Sequence, residues 1–199
     1  MKNKFWLYGG LLLIAAALCL TVYNLWDEKR AGDSAEELLQ QYQALKSGTP
    51  DSEPEEAEAS DSEVADIAAD SRKYAGVLEI PSLGIILPVM EEWSYEGLKE
   101  APCRYQGSAA QDDMIIAGHN YRFHFGGLHK LEADDEVVFT DAEDHRFEYQ
   151  VTEMVRLEGG DVEKMESGNW DLTLFTCTTD GQNRVTVRCK RKPSASSIK

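Results

Sequence analysis

The sequence is poor in cysteine and in basic residues, and each shortage excludes a class of protein. Only four of its 199 residues are cysteines, and no two of them form a Cys-x-x-Cys motif. That excludes a disulfide-dense scaffold and a thioredoxin-like redox centre. The 20 lysines and arginines are outnumbered by 36 acids, giving a formal net charge of −16, so nothing would draw the chain to nucleic-acid phosphates. A mean hydropathy of −0.43 excludes a polytopic membrane protein.

One stretch near the N-terminus has no charge at all. Phe5–Trp26 is a run of 22 uncharged residues, preceded by two lysines and carrying aromatic residues at both ends. About 20 apolar residues in a helix span the hydrocarbon layer, and aromatic rings favour its interfaces. We expect residues 1–26 to form a cytoplasmic tip and a single transmembrane anchor, with the rest of the chain outside the cell. A cleaved signal peptide is the alternative, but the apolar run continues for nine residues beyond Ala17, where cleavage would fall.

Residues 27–73 carry 14 acids and five bases and are predicted to form an acidic extracellular spacer. Ala35–Leu45 has apolar residues at helical spacing behind a Ser34–Glu37 capping pattern, which predicts a short amphipathic helix. The Ser-, Pro- and Glu-rich stretch that follows has no large apolar side chain, so it cannot offset its ordering entropy. Like charges extend such a stretch, and we expect it to hold the next domain away from the membrane.

From residue 74 onward, short apolar runs are separated by Gly, Pro and Asp. These runs predict seven strands: Ala75–Ile80, Ile85–Met90, Met114–Ala117, Glu136–Thr140, Phe147–Leu157, Asp171–Cys177 and Arg184–Lys190. Two short helices are predicted, over Phe125–Leu131 and Asp161–Glu166. Seven or eight strands in a domain of this size indicate a mainly β fold, either a barrel or a sandwich.

One cysteine ends a predicted strand. Cys177 is followed by an Asp-Gly turn signal, and the next strand begins with Arg184. If the two strands pair as a hairpin, this thiol and this guanidinium face each other, whereas Arg188 lies about 13 Å further along the same face. An arginine in that place favours the thiolate and can stabilise an oxyanion. The alternative is a buried strand cysteine beside an unrelated surface charge.

A cysteine nucleophile needs an acid–base partner, and the chain has four histidines. His119 follows the apolar run Met114–Gly118 and projects from a strand end, where catalytic residues are often displayed. His124 and His129 fall in or beside a predicted helix, and His145 falls in an acidic turn. His119, His124 and His129 are spaced five residues apart, and five residues turn a helix by about 500°. These three histidines would therefore not share a helix face, and we expect no metal site there.

Taken together, these residues resemble the sortases, the membrane-anchored cysteine transpeptidases of Gram-positive bacteria. Five motifs carry the likeness in family order over roughly residues 74–192: Gly76–Pro81 with Leu87–Val89, Ala117–Asn120, Phe125–Leu128, Thr173–Cys177 as the Thr-Leu-x-Thr-Cys signature, and Arg184. The subclass stays open between class B-like and class D-like features. Trp170 and the Gly-His-Asn sequence are similar to class B. The brief connection before the catalytic strand lacks that class's long helical insertion, and Asp134-Asp135 stands where the family often has Gly-Asp.

The resemblance implies a closed sortase-type β-barrel over residues 74–199 and a cysteine transpeptidase activity. Cys177 would attack the Thr–Gly carbonyl of an LPxTG-like sorting signal to form a thioester. His119 would transfer the proton, and Arg184 would hold the substrate and the oxyanion. The acceptor would be a peptidoglycan cross-bridge amine or a pilin lysine. Three further residues are expected to bind substrate: Thr176, Phe175 and Asn120.

Several alternatives stay open at this level. We expect no cofactor and no metal, although the acidic cluster Glu132–Glu136 has the oxygen ligands that calcium prefers. Cys103 and Cys189 could form a disulfide outside the cell or remain buried thiols. The domain could also be a catalytically silent, membrane-tethered binding module of the same fold. Another cell-wall cysteine enzyme, such as an L,D-transpeptidase or a papain-like peptidase, is the remaining possibility.

Overall fold

The computed structural model describes residues 2–47 and 73–193. Its strands are β1 Tyr74–Ile80, β2 Ile85–Met90, β3 Cys103–Gln106, β4 Met114–Ala117, β5 Glu136–Asp141, β6 Arg146–Glu158, β7 Leu172–Cys177 and β8 Asn183–Arg191. They close into one barrel in the order β1-β2-β3-β4-β7-β8-β6-β5, with β5 pairing back onto β1. The prediction of a mainly β chain with a closed barrel of seven to eight strands is confirmed.

The helices are few and, apart from the first, short. The α-helices are α1 Lys2–Ser47, α2 Gly97–Glu100 and α3 Val162–Glu166, and the 3-10 helices are Pro81–Leu83, Ala109–Gln111 and Phe125–Lys130. Both predicted helical patches are therefore present, the first of them as a 3-10 helix.

The sheet buries apolar side chains on both faces. In β4, Met114 and Ile116 belong to the cluster inside the barrel, whereas Ile115 and Ala117 belong to a second cluster outside it. Successive strand residues point to opposite faces, so this alternation follows directly from the pleat. The outer cluster also includes Phe175 of β7, so other side chains cover part of the outer face of the strand that carries Cys177.

One strand, β3, was missing from the sequence prediction. It has only four residues, two of them polar, between Pro102 and Gly107. It pairs with β2 at a single position, Met90 to Cys103, and its pairing with β4 contains a register shift. Such a strand has too few apolar residues to show a period of two.

Helix α1 is unbroken from Lys2 to Ser47 and therefore crosses the predicted boundary between anchor and spacer. No proline lies between its two halves to interrupt the backbone hydrogen bonds. Tyr8–Trp26 is long and apolar enough to cross a membrane and is not buried in the protein. The amphipathic helix predicted over Ala35–Leu45 is the second half of α1. The acidic stretch 48–72 lies outside the described residues, and its spacer role stays a prediction.

Candidate active site

The candidate site is built at the open end of the β7–β8 hairpin. The antiparallel register pairs Cys177 directly with Arg184, as the sequence predicted. Both side chains are half-buried, so the thiol and the guanidinium are held in place while remaining within reach of a ligand. The guanidinium therefore supplies a fixed positive charge beside a thiol that can act as a nucleophile.

The turn that joins the two strands is closed by its own polar groups. The Thr178 amide donates to the Asn183 carbonyl at 2.9 Å, and the Asn183 amide donates back to the Thr178 hydroxyl at 3.1 Å. Asp180 accepts from the Thr178 hydroxyl and from the Gln182 amide, and these bonds lower the pKa of its carboxyl group. The chain reverses through Gly181, at φ 70°, where glycine has no steric cost. The turn therefore fixes the separation of Cys177 and Arg184.

His119 follows a strand that runs parallel to the strand of the thiol. β4 and β7 run side by side with Ala117 opposite Phe175, and the Gly118 amide donates to the Phe175 carbonyl at 3.0 Å. His119 follows Ala117 by two residues and Cys177 follows Phe175 by two residues, so both lie at the same end of these neighbouring strands. No local sequence pattern could indicate this pairing, because the two residues are 58 positions apart.

The backbone around His119 is fixed by close packing and by a cross-link to the β7–β8 turn. A Cβ on Gly118 would lie 2.5 Å from the Phe125 ring, so only glycine fits there. The Phe125 amide donates to the His119 carbonyl at 3.1 Å, and the His119 ring lies 4.9 Å from that of Tyr121. Asn120 donates through Nδ2 to the Thr179 hydroxyl at 3.4 Å. The histidine loop and the cysteine turn are thus joined directly.

The two arginines of β8 have different surroundings. Nη1 of Arg184 would lie 3.7 Å from a Cβ on Gly159, and no carboxylate among the described residues forms a salt bridge with Arg184. Arg188 is buried opposite Thr173, and it donates to the carbonyls of Ser167 at 3.2 Å and Lys164 at 2.7 Å. Arg188 therefore holds the β6–β7 loop, and Arg184 keeps its donors for a ligand.

The three residues expected to bind substrate lie in three different environments. Phe175 lies two residues before Cys177 on the same outer face and is almost fully buried. Asn120 lies in the histidine loop and is half-buried. Thr176 is buried, at 3% exposure, and lies on the face opposite Cys177 because strand residues alternate. The expectation that Thr176 lines the pocket beside the thiol does not fit this arrangement.

Aromatic residues that the sequence reading did not single out surround Phe175. The Tyr105 ring packs edge-on against Phe175 at 5.6 Å and against Trp93 at 6.1 Å, and Trp93 in turn lies 4.8 Å from Tyr95. Trp93 and Tyr95 are exposed. Their proximity in the sequence was a usable signal, but Tyr105 lies on the unpredicted β3.

The β6–β7 loop closes over the same face from the other side. Met165 of α3 is buried in the outer cluster with Phe175. Burial raises the pKa of the Tyr105 hydroxyl, and the neighbouring Glu166 carboxylate raises it further through its charge and a hydrogen bond. The loop and β3 therefore form two walls of a covered surface that leads along β7 to Cys177.

The other cysteines are unsuited to chemistry at this site. Cys103 and Cys189 are fully buried free thiols in clusters on opposite faces of the sheet, so the disulfide alternative does not hold. Burial raises the pKa of Cys103 to about 11 and that of Cys189 to about 12. Cys19 lies in the apolar half of α1. Only Cys177 combines partial exposure with a nearby cation.

The acidic clusters of the barrel are satisfied by the protein itself. The Asp135 carboxylate accepts the Glu132 amide at 2.8 Å, and Glu136 pairs with Lys192 at 2.6 Å. In the β5–β6 turn, Asp141 accepts the amides of Glu143 and His145 and contacts the His145 ring. The carboxylates of Asp135, Glu136 and Asp141 therefore have partners within the protein.

Comparison with known proteins connects this geometry to one family. The sortase domain family model matches residues 78–192. Three solved structures share the fold. Sortase C1 of Streptococcus agalactiae is 24% identical, with 65% of this chain and 77% of that chain covered and a TM-score of 0.54. A Clostridium perfringens sortase D5 transpeptidase is 20% identical, with 84% of this chain and 99% of that chain covered and a TM-score of 0.56, and sortase A of Listeria monocytogenes is 21% identical, with 61% of this chain and 88% of that chain covered and a TM-score of 0.54. No curated protein sequence matches the chain.

Proposed function

The chain belongs to the sortase family, and from that premise we propose that it is a cysteine transpeptidase acting on proteins with an LPxTG-like sorting signal. The observation that supports this proposal is the placement of three residues at one end of the barrel. Cys177 lies opposite Arg184 in the β7–β8 register, and His119 comes two residues after the end of β4, the strand that runs parallel to β7. A nucleophile, a proton carrier and a fixed cation are the set that acyl transfer requires.

The reaction would run in two acyl transfers. The Cys177 thiolate attacks the Thr–Gly carbonyl, and Arg184 stabilises the oxyanion that forms. The C–N bond breaks as the His119 imidazolium gives its proton to the leaving amine, which leaves a thioester on Cys177. An incoming amine then attacks the thioester, neutral His119 takes a proton from it, and the thiolate departs. Thiolate and imidazolium are both regenerated.

The sorting signal would lie along the outer face of β7. Phe175 and Tyr105 form the apolar floor that continues from the thiol, and the β6–β7 loop between Leu157 and Trp170 forms the wall that would select its Leu-Pro portion. Asn120 would set the distance between the histidine loop and the turn after Cys177. In this proposal Thr176 supports β7 from inside the barrel.

The proposed organisation follows from the same placement. Residues 1–26 carry the candidate membrane anchor, residues 27–73 join it to the barrel, and residues 74–199 form the catalytic domain. The proposed topology is single-pass, with a cytoplasmic N-terminus and an extracellular barrel. The partners are sorting-signal proteins and an amine acceptor, from either a peptidoglycan cross-bridge or a pilin lysine.

Trapping of the thioester tests this function. Full-length protein in nanodiscs is incubated with LPxTG-type peptides, with and without an amine acceptor, and its intact mass is measured. We expect an acyl adduct on Cys177 that the amine discharges. Cys177→Ala should abolish the adduct, and Cys19→Ala, which removes a thiol far from the barrel, should keep it. Absence of any adduct with the wild-type protein would favour a silent binding module, and turnover by Cys177→Ala would exclude the proposed nucleophile.

A further inference from the structure

The barrel is docked directly on the helix that contains the candidate membrane span. The span ends at Trp26, and α1 continues without a break to Ser47. Among the described side chains, a contact with the barrel lies at Gly32, where a Cβ would lie 2.8 Å from the Phe123 ring. Six residues of helix rise about 9 Å, so the barrel begins about 9 Å beyond the last aromatic residue of the span.

Further contacts along α1 hold the barrel in this position. Ala35, Leu38 and Tyr42 are buried, at 3%, 8% and 6% exposure. The Tyr42 hydroxyl donates to the Asp141 carbonyl at 3.3 Å, and its ring meets that of Tyr74 edge-on at 5.6 Å. The docked stretch therefore runs from Phe123 at the end nearer the span to Asp141 at the far end, about 15 Å further along the helix axis.

The barrel residues nearest the span have the chemistry of a membrane interface. Arg122 and Phe123 form an exposed tip in the loop after His119, with the Arg122 guanidinium 5.6 Å from the Phe123 ring. Phe123 stays 45% exposed despite its contact with Gly32. On α1, the Arg30 guanidinium lies 5.9 Å from the Trp26 ring, and Lys29 is exposed. Aromatic rings favour the interface, and basic side chains are attracted to anionic headgroups.

The distances agree with contact between this tip and lipid. The polar headgroup region extends about 5–8 Å beyond the hydrocarbon on each side. A tip about 9 Å beyond Trp26 along the helix therefore lies at the outer edge of the headgroup layer when Trp26 lies at the hydrocarbon boundary. We propose that the Arg122–Phe123 tip rests on the membrane surface and binds anionic lipid headgroups. The inference requires that Tyr8–Trp26 spans a bilayer.

This placement has a consequence for the proposed active site. Arg122 is three residues from His119, so the histidine side of the site would face the membrane plane. A substrate would then approach along the bilayer, as a protein still held in the membrane does. The docked half of α1 would then set the height of the barrel above the membrane.

Photo-crosslinking tests lipid contact without using enzymatic activity. Full-length protein with Cys177→Ala is inserted into nanodiscs of phosphatidylcholine with phosphatidylglycerol. Benzoylphenylalanine replaces Phe123 in one sample and Glu143 in a control sample. Glu143 is exposed and follows Asp141 at the far end of the docked stretch. After irradiation, lipid adducts are measured by mass spectrometry.

We expect lipid adducts from position 123 and none from position 143. The yield at 123 should fall about fivefold with Arg122→Gln or in pure phosphatidylcholine, which is the attraction expected for one basic side chain at an anionic surface. Equal capture at the two positions, no capture at 123, or a yield that does not respond to lipid charge would overturn the inference. Because Cys177→Ala is used throughout, these outcomes are independent of the thioester experiment.

Discussion

Arg188 lies over the indole ring of Trp170, with 5.3 Å between its guanidinium carbon and the ring centroid. It lies four positions after Arg184, on the same strand and the same face, yet the two guanidinium groups have different surroundings. Arg188 is buried and bonded to loop carbonyls, whereas Arg184 faces Cys177. Substituting each arginine in turn should separate the positioning role expected of Arg188 from the catalytic role expected of Arg184.

Arg184→Met should lower kcat/KM for an LPxTG-type peptide by about 10²–10³. The reason is the loss of an oxyanion donor. The melting temperature should change little, because the side chain is half-exposed and has no salt bridge among the described residues. Steady-state kinetics and thermal unfolding measure the two effects. A variant that loses stability but keeps its activity would contradict the role given to Arg184.

Arg188→Met should act through the β6–β7 loop. It removes two charge-assisted hydrogen bonds to the loop carbonyls of Ser167 and Lys164, a loss of about 2–4 kcal/mol in the free energy of unfolding. We expect a lower melting temperature and a raised KM, with a smaller effect on kcat than that of Arg184→Met. Denaturant unfolding measures the stability. An unchanged unfolding free energy would show that these bonds do not hold the loop.

Thr176→Val should leave turnover intact. The Thr176 hydroxyl is buried inside the barrel, where it has no hydrogen-bond partner among the described residues, and valine has the same shape. Replacing an unsatisfied hydroxyl by a methyl group should stabilise the fold by about 1 kcal/mol. Thermal unfolding and peptide turnover are the measurements. A large rise in KM would restore the substrate-binding role that the sequence suggested.

Thr176 illustrates which parts of the site can be predicted from local sequence. The alternation of strand residues was already available and places Thr176 away from Cys177. The pairing of Cys177 with Arg184 was predictable for a similar local reason, since a short turn sets the register of a hairpin. The proposed meeting of His119 with Cys177 depends on β4 and β7, which are parallel strands far apart in the sequence, so only the family resemblance indicated it.

The position of Tyr105 against Phe175 could not be predicted for a different reason. Tyr105 lies on β3, which is held by a few backbone pairings and has no amphipathic pattern of its own. The anchor and the amphipathic helix were each predicted from composition and periodicity. Their union in one helix depends on the barrel surface that buries Ala35 and Tyr42, and the local pattern does not contain that surface.

Gly118→Ala should disrupt the histidine loop. Its Cβ would lie 2.5 Å from the Phe125 ring, and overpacking of this kind costs about 1–3 kcal/mol. Because Gly118 precedes His119, kcat should fall as well. Gly160→Ala is the matched control, since nothing lies within 4 Å of a Cβ there. Equal melting temperatures for the two variants would show that Phe125 can move aside.

Alkaline pH should destabilise the barrel through its buried thiols. An unfolded cysteine titrates near 9, whereas burial raises the pKa of Cys103 to about 11 in the folded protein. The folded state therefore binds the proton more tightly than the unfolded state. Stability is full below pH 9 and is lost as the pH rises from about 9 to about 11, by about 2–3 kcal/mol for this one group. Cys189, whose pKa is raised to about 12, extends the loss to higher pH.

Cys103→Ala should be less stable at pH 7 because of the cavity, yet its unfolding free energy should fall less steeply between pH 9 and 11. Denaturant unfolding across this pH range measures both slopes, with Cys19→Ala as the control that keeps the wild-type slope. Parallel curves for wild type and Cys103→Ala would mean that the Cys103 thiol is not shielded from water, since the slope depends only on the difference in proton binding between the two states.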